Sequence, residues 1–122
     1  MTDIPVIAIV DDDAGMRQSL DGLIRSLGYR ATLFESAEAF LGAPEAKSCQ
    51  CVVSDLQMPG GMDGIELARA VDDRLQGRVI LISAFLDDAV QERALEAGVY
   101  RFLRKPFDGE ELVGCIEAML EA

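Results

Sequence analysis

The chain of 122 residues has no histidine. That absence excludes a His-based catalytic triad and removes the one side chain whose ordinary pKa places a general base near neutrality. Basic residues are scarce as well: 11 Lys and Arg face 22 Asp and Glu, for a formal charge of -11. Such a balance argues against a nucleic-acid backbone or an anionic membrane as the direct partner, and it suits a cation site. No run approaches the roughly 20 apolar residues of a membrane span. The start Met1-Thr2-Asp3-Ile4-Pro5 lacks the charged-then-apolar layout of a signal peptide, so the expected location is the cytosol. Cysteine is limited to Cys49, Cys51 and Cys115, an odd set that argues against a disulfide framework. Cys49-x-Cys51 has strand spacing. With no second pair and no His, zinc is not expected, and all three read as packing residues.

Half the residues are apolar and the length fits one domain, expected over residues 1–122. Val6-Ile7-Ala8-Ile9-Val10 is a short unbroken apolar run, the pattern of a strand covered on both faces. Residues 50–54, 78–83 and 99–103 share it, and residues 29–34 mix polar and apolar positions as a strand nearer an edge would. Helical patterns lie between. Met16, Leu20, Leu23, Ile24 and Leu27 recur at helical spacing after Asp13, and Gly28 supplies a stop. Ser36 caps a shorter helix through Phe40 and Leu41. Asp63 with Glu66, and Asp108 with Glu111, approach the capping-box signature. They open helices carrying Ile65, Ala68, Val71 and Leu75 in the first case, and Leu112, Ile116 and Leu120 in the second. Asp87 and Asp88 precede a helix ended by Gly98. Strands alternating with helices pair in parallel with right-handed crossovers, so the expected fold is a doubly wound α/β domain.

The polar residues fall at the carboxyl ends of the expected strands. The first ends in Asp11-Asp12-Asp13, the third in Asp55 and the fourth in Ser83, while the fifth runs through Arg104 into Lys105-Pro106. In an open parallel sheet those ends share one edge, where ligands bind. Asp11, Asp12 and Asp55 brought together would repel unless a cation lay among them. Carboxylates are hard oxygen ligands suited to Mg²⁺ or Mn²⁺. With the ammonium of Lys105 and the hydroxyl of Ser83, they make a site for phosphoryl transfer in which a carboxylate attacks. Singly, each residue has a plainer explanation: Asp13 as a helix cap, Ser83 as a turn residue, Lys105-Pro106 as an ordinary dipeptide.

Val10-Asp11-Asp12-Asp13, Ser54-Asp55-Leu56-Gln57-Met58-Pro59 with Met62-Asp63-Gly64, Ile82-Ser83-Ala84 and Lys105-Pro106-Phe107 together resemble the CheY-like receiver domain of response regulators in two-component signalling. The resemblance runs through nearly the whole chain and is similar to receivers that precede helix-turn-helix output domains. It implies a flavodoxin-like five-stranded parallel sheet in the order 2-1-3-4-5. It also implies that Asp55 accepts a phosphoryl group from a partner sensor histidine kinase or phosphotransfer protein. Asp12 and Asp55 would bind Mg²⁺ directly, Asp11 through a bound water, and Gln57 through its backbone carbonyl. Lys105 would pair with Asp55 and then with a phosphoryl oxygen, and Ser83 would hydrogen-bond the phosphoryl group beside the small Ala84. Ser83 and Phe102 would form the switch that carries the change to the face of the fourth helix, fifth strand and fifth helix. That face would then control an output domain or partner, and homodimerisation through it is an expectation from family behaviour. Such a domain catalyses only its own phosphorylation and dephosphorylation.

Two departures stand out. Gly60-Gly61 is one residue longer than the family's usual link between Met-Pro and Met-Asp-Gly, and Phe102 replaces a tyrosine. Gln57 and Phe85 are expected to flank the phosphoryl pocket. A haloacid dehalogenase-type phosphatase would explain Asp11-x-Asp13, but Ala14 stands where that motif has Gly and Ile82-Ser83 where it has an acidic pair. A protein-binding pseudo-receiver would keep the fold without the chemistry, yet every expected site group is present.

Overall fold

A computed structural model of the protein describes residues 4–85 and 87–121. The remaining positions of the expected 1–122 unit, residues 1–3, Leu86 and Ala122, lie outside the described residues. The elements alternate as β1 (Val6–Val10), α1 (Ala14–Ser26), β2 (Arg30–Phe34), α2 (Ala37–Leu41), β3 (Cys51–Asp55), α3 (Gly64–Ala70), β4 (Val79–Ser83), α4 (Asp88–Glu96), β5 (Arg101–Arg104) and α5 (Gly109–Glu121). Short 3₁₀ turns lie at Pro44–Lys47 and Asp73–Leu75. The five strands form one parallel sheet in the order β2-β1-β3-β4-β5. This is the doubly wound, flavodoxin-like arrangement expected from the sequence.

Period-two alternation splits the core between the two sheet faces. On one face Ile7, Ile9, Cys51, Val53, Ile80 and Ile82 pack with Leu20 and Ile24 of α1 and Leu112, Cys115 and Ile116 of α5. Ala8, Val10, Val52, Val79 and Leu81 face the other way, toward Phe40 of α2, Ile65 and Leu67 of α3 and Ala94 of α4. Burying each large aliphatic side chain contributes about 1.5–3 kcal/mol. Cys49 and Cys51 fall in opposite clusters although residues two apart on a strand share a face, because Cys49 lies before the start of β3, and all three cysteines are free thiols.

Local chemistry sets the helix ends. Asp13, Ser36 and Asp87 accept from the amides of Met16, Ala39 and Val90 at 2.9, 3.0 and 2.8 Å. Asp63 and Glu66 close a full capping box, with the Glu66 amide on Asp63 at 2.8 Å and the Asp63 amide on Glu66 at 3.0 Å. At Asp108 the box does not form. Its carboxylate takes the Glu110 amide at 3.0 Å instead, so it caps α5 without reciprocity from Glu111.

The helix expected to run from Ile65 to Leu75 breaks at Val71, whose backbone turns extended (φ -66, ψ 153). The Gln76 side chain accounts for the break by donating to the carbonyls of Ala68 and Val71 at 3.3 and 2.9 Å, supplying partners a continuing helix would have provided. Leu75 is nonetheless buried, delivered by the 3₁₀ turn. The fifth strand also starts later than residue 99, because the Val99 amide closes on the Ala94 carbonyl at 3.1 Å and leaves the ladder to begin at Arg101.

Candidate functional site

From β1 the chain crosses to β2 on one side, and β3 lies on the other, so the sheet order reverses between β1 and β3. A crevice opens outside the carboxyl ends of strands at such a point. In the register, Val10 pairs with Ser54 and Asp55 with Ile82, which brings Asp11, Asp12, Asp55 and Ser83 to one edge.

Three carboxylates meet there. One oxygen each of Asp11, Asp12 and Asp55 lies within 4.8 Å of the others. Asp11 is almost wholly buried, and its Oδ1 accepts the Asp13 amide at 2.9 Å. Burial pushes its carboxyl above the ordinary carboxylate range; the Asp13 amide opposes the shift, the Asp55 charge adds to it, Lys105 opposes it and Asp12 adds a little. Asp12 is exposed and Asp55 half-buried. Lys105 Nζ donates to Asp55 Oδ2 at 3.3 Å, and the Gln57 amide donates to Asp55 Oδ1 at 3.3 Å. Lys105 reaches this edge because its own amide donates to the Ser83 carbonyl at 2.9 Å, extending the β4–β5 pairing beyond Arg104.

Ser83 is buried at the end of β4, but its hydroxyl is turned into the following loop. Its Oγ donates to the Phe85 carbonyl at 2.9 Å and accepts the Phe85 amide at 3.0 Å. Phe102 lies on β5 opposite Leu81, half-buried against the cluster that contains Ala94 and Val99. Gln57 and the strongly exposed Phe85 line an open groove with Leu56, Ala84, Asp87, Val90 and Arg104.

Three further residues shape the site without having been given a role in it from the sequence. Arg17 of α1 donates to the Asp11 carbonyl at 2.7 Å and ties the acidic loop to the helix after it. Gly64 opens α3 so close to β3 that a Cβ there would stand 2.7 Å from the Asp55 carbonyl oxygen. Glu38 of α2 reaches across to accept the Met62 amide at 2.7 Å, which pulls its carboxyl below the ordinary range. Gly64 stood in a recognisable motif, which was a signal. The other two contacts had no local signature.

The family described as the response regulator receiver domain matches residues 7–117. The transcriptional regulatory protein FixJ of Bradyrhizobium diazoefficiens is 42% identical over 115 residues, which cover 93% of this chain and 56% of FixJ. The solved structure of full-length FixJ from B. japonicum superposes with a TM-score of 0.83 at 38% identity, over 98% of this chain and 59% of that one. The BeF3-activated receiver domain of DrrB gives a TM-score of 0.86 at 29% identity, over 98% of this chain and all of that one. The chain thus spans little more than half the length of the FixJ proteins it matches. Because the family match extends from β1 into α5, over the same strands that carry the acidic edge, this protein belongs to the response regulator receiver family, among relatives that are transcriptional regulators.

Proposed function

We propose that Asp55 accepts a phosphoryl group from a phosphohistidine of a partner sensor kinase or phosphotransfer protein. The observation that carries this reading is the meeting of Asp11, Asp12 and Asp55 within 4.8 Å, with the Lys105 ammonium 3.3 Å from Asp55. In the transfer, an Asp55 oxygen forms a bond to phosphorus while the phosphorus–nitrogen bond of the donor breaks, and the imidazole leaves with the electron pair. An acyl phosphate results.

The residues fit a hard divalent cation, because clustered carboxylates at a partly buried edge repel one another until such a charge enters. Asp12 and Asp55 would hold Mg²⁺, or Mn²⁺, with Asp11 acting through water and the Gln57 carbonyl completing the protein ligands. The ion supplies neutralisation of phosphoryl oxygens as charge redistributes. Lys105 holds Asp55 in place beforehand and is positioned to take a phosphoryl oxygen afterwards. Ser83 is bonded to Phe85 in this structure and would exchange that partner for the phosphoryl group. Phe102 would follow it inward, which couples the edge to the face of α4, β5 and α5.

On this reading residues 1–122 form one cytoplasmic receiver unit whose only catalysis is of its own phosphorylation and dephosphorylation. The switched face would control an output domain or partner, by a homodimer or by docking, in transcriptional regulation. The relationship to FixJ and the BeF3-activated state of the DrrB receiver support it. Incubation with a small phosphodonor and Mg²⁺ followed by intact mass measurement tests it. Wild type gains one phosphoryl group and Asp55→Asn gains none; no gain by wild type, or equal gain by the variant, refutes the assignment.

A further inference from the structure

The segment 57–63 links Asp55 to α3 and carries the Gln57 carbonyl, and both of its ends are fastened. The Gly64 amide donates to the Leu56 carbonyl at 2.8 Å, the Gln57 amide holds Asp55, and the Met58 side chain is buried. The middle has no side chains of its own, since Gly60 and Gly61 are exposed and Gly60 takes a left-handed φ of +91. Consecutive glycines leave the backbone the greatest freedom to lose on ordering. What holds this part comes from another element. Glu38 belongs to α2, which Ser36 caps and which Ala37 and Phe40 anchor with no exposed surface. From that base its Oε2 accepts the Met62 amide at 2.7 Å.

Gly61 leaves room for the contact. A Cβ at this position would stand 2.8 Å from Glu38 Oε2 and 3.0 Å from Oε1, so the carboxylate, the far end of an exposed and flexible side chain, would have to shift. Its φ is not in the left-handed region, so the requirement for glycine is space for the carboxylate and not backbone conformation. Gly61, one of the paired glycines of this link, is thus the floor on which a carboxylate from α2 rests.

We propose that Glu38 is a positioning residue for the Asp55 site: by holding the Met62 amide over Gly61 it fixes the pose of segment 57–63 and so presents the Gln57 carbonyl to the cation. The role in cation binding rests on the receiver reading above. The clamp itself does not.

The test uses the full chain as wild type, Glu38→Ala, Glu38→Gln, Gly61→Ala and the Glu38→Ala/Gly61→Ala double variant. Amide hydrogen exchange is followed by NMR without Mg²⁺, and the Mg²⁺ dissociation constant is measured by calorimetry. Glu38→Ala accelerates exchange at Met62 by about tenfold or more, as expected when a local opening loses its closing contact. It also weakens Mg²⁺ binding by about threefold to tenfold, at the low end for outer partners of a metal site because the contact is solvent-facing. Glu38→Gln, which keeps an acceptor oxygen, recovers part of both losses. Gly61→Ala displaces the carboxylate and reproduces Glu38→Ala, and the double variant is no worse than either single one.

Wild-type exchange and affinity in Glu38→Ala overturn the proposal, as do additive losses in the double variant. Faster exchange with unchanged Mg²⁺ affinity overturns the positioning role. A wild type that neither binds Mg²⁺ nor gains a phosphoryl group refutes the receiver chemistry, and this role with it; normal wild-type binding beside an unaffected Glu38→Ala refutes the role alone.

Discussion

A Cβ on Gly64 would stand 2.7 Å from the Asp55 carbonyl oxygen and 2.7 Å from Leu81 Cδ2, so the first turn of α3 rests directly on the backbone of the proposed phosphoacceptor. Neither neighbour is a loose side-chain end: the one is backbone and the other belongs to a fully buried Leu. Gly64→Ala should therefore behave as overpacking and destabilise the protein by about 1–3 kcal/mol. Urea unfolding measures the cost. Because relief requires α3 or β3 to shift, phosphoryl gain at Asp55 should fall as well, whereas Gly22→Ala, with open space around the added Cβ, should cost nothing comparable.

Asp11 sets a pH dependence for the Mg²⁺-free protein. Burial, with the Asp55 and Asp12 charges, holds its folded-state pKa above the unfolded value despite the Asp13 amide and Lys105. A group whose folded pKa is raised binds more protons folded than unfolded, so stability falls as pH rises through that window. Asp11→Asn keeps an oxygen for the Asp13 amide and removes the charge. At neutral pH the variant should unfold at higher denaturant than wild type, and the difference should close below about pH 4, the ordinary Asp value. Added Mg²⁺ should reverse the order: at ten times its dissociation constant it stabilises wild type by about 1.4 kcal/mol and the variant by less.

Lys105 and a divalent cation both seek Asp55. The ammonium lies 3.3 Å from Oδ2 on a partly buried edge, so it repels any cation entering among the acids. Lys105→Met should tighten Mg²⁺ binding by about threefold or more as that repulsion is removed. The same variant should slow phosphorylation, since it lacks the charge that meets phosphoryl oxygens. Opposite changes in calorimetric affinity and in rate of mass gain distinguish this from simple damage to the site.

The three thiols should be inert in the folded protein. Burial pushes the Cys51 thiol up to about 12, with Cys49 adding to the shift and Arg78 opposing it, and burial raises Cys49 and Cys115 too. Because the thiolate is the reactive form, a disulfide exchange reagent at about pH 8 should modify native protein at least about a hundredfold more slowly than urea-unfolded protein. Stoichiometric fast labelling of any one cysteine in native protein would contradict the burial seen here.

Much of the fold was legible because its signals are local. The apolar runs of β1 and β4, the caps at Asp13, Ser36, Asp63 and Asp87, and the stops at Gly28 and Gly98 each declare themselves within a few residues. The acids, Ser83 and Lys105 could be placed on one edge from strand order alone. The break at Val71 was not legible, since it depends on the Gln76 side chain turning back onto helix carbonyls. Nor was the fully engaged hydroxyl of Ser83, which depends on the path of the loop after β4.

The sequence by itself determined the kind of chemistry this protein can hold, because a parallel sheet gathers its strand ends and these strands end in acids, a hydroxyl and a lysine. Only the tertiary structure decided what Gly61 and Gly64 approach. Gly61 meets Glu38 and Gly64 meets Asp55 and Leu81 through the packing of elements distant in the chain. Periodicity describes which face a residue takes along its own element, and close approach between elements is fixed only when both are in place.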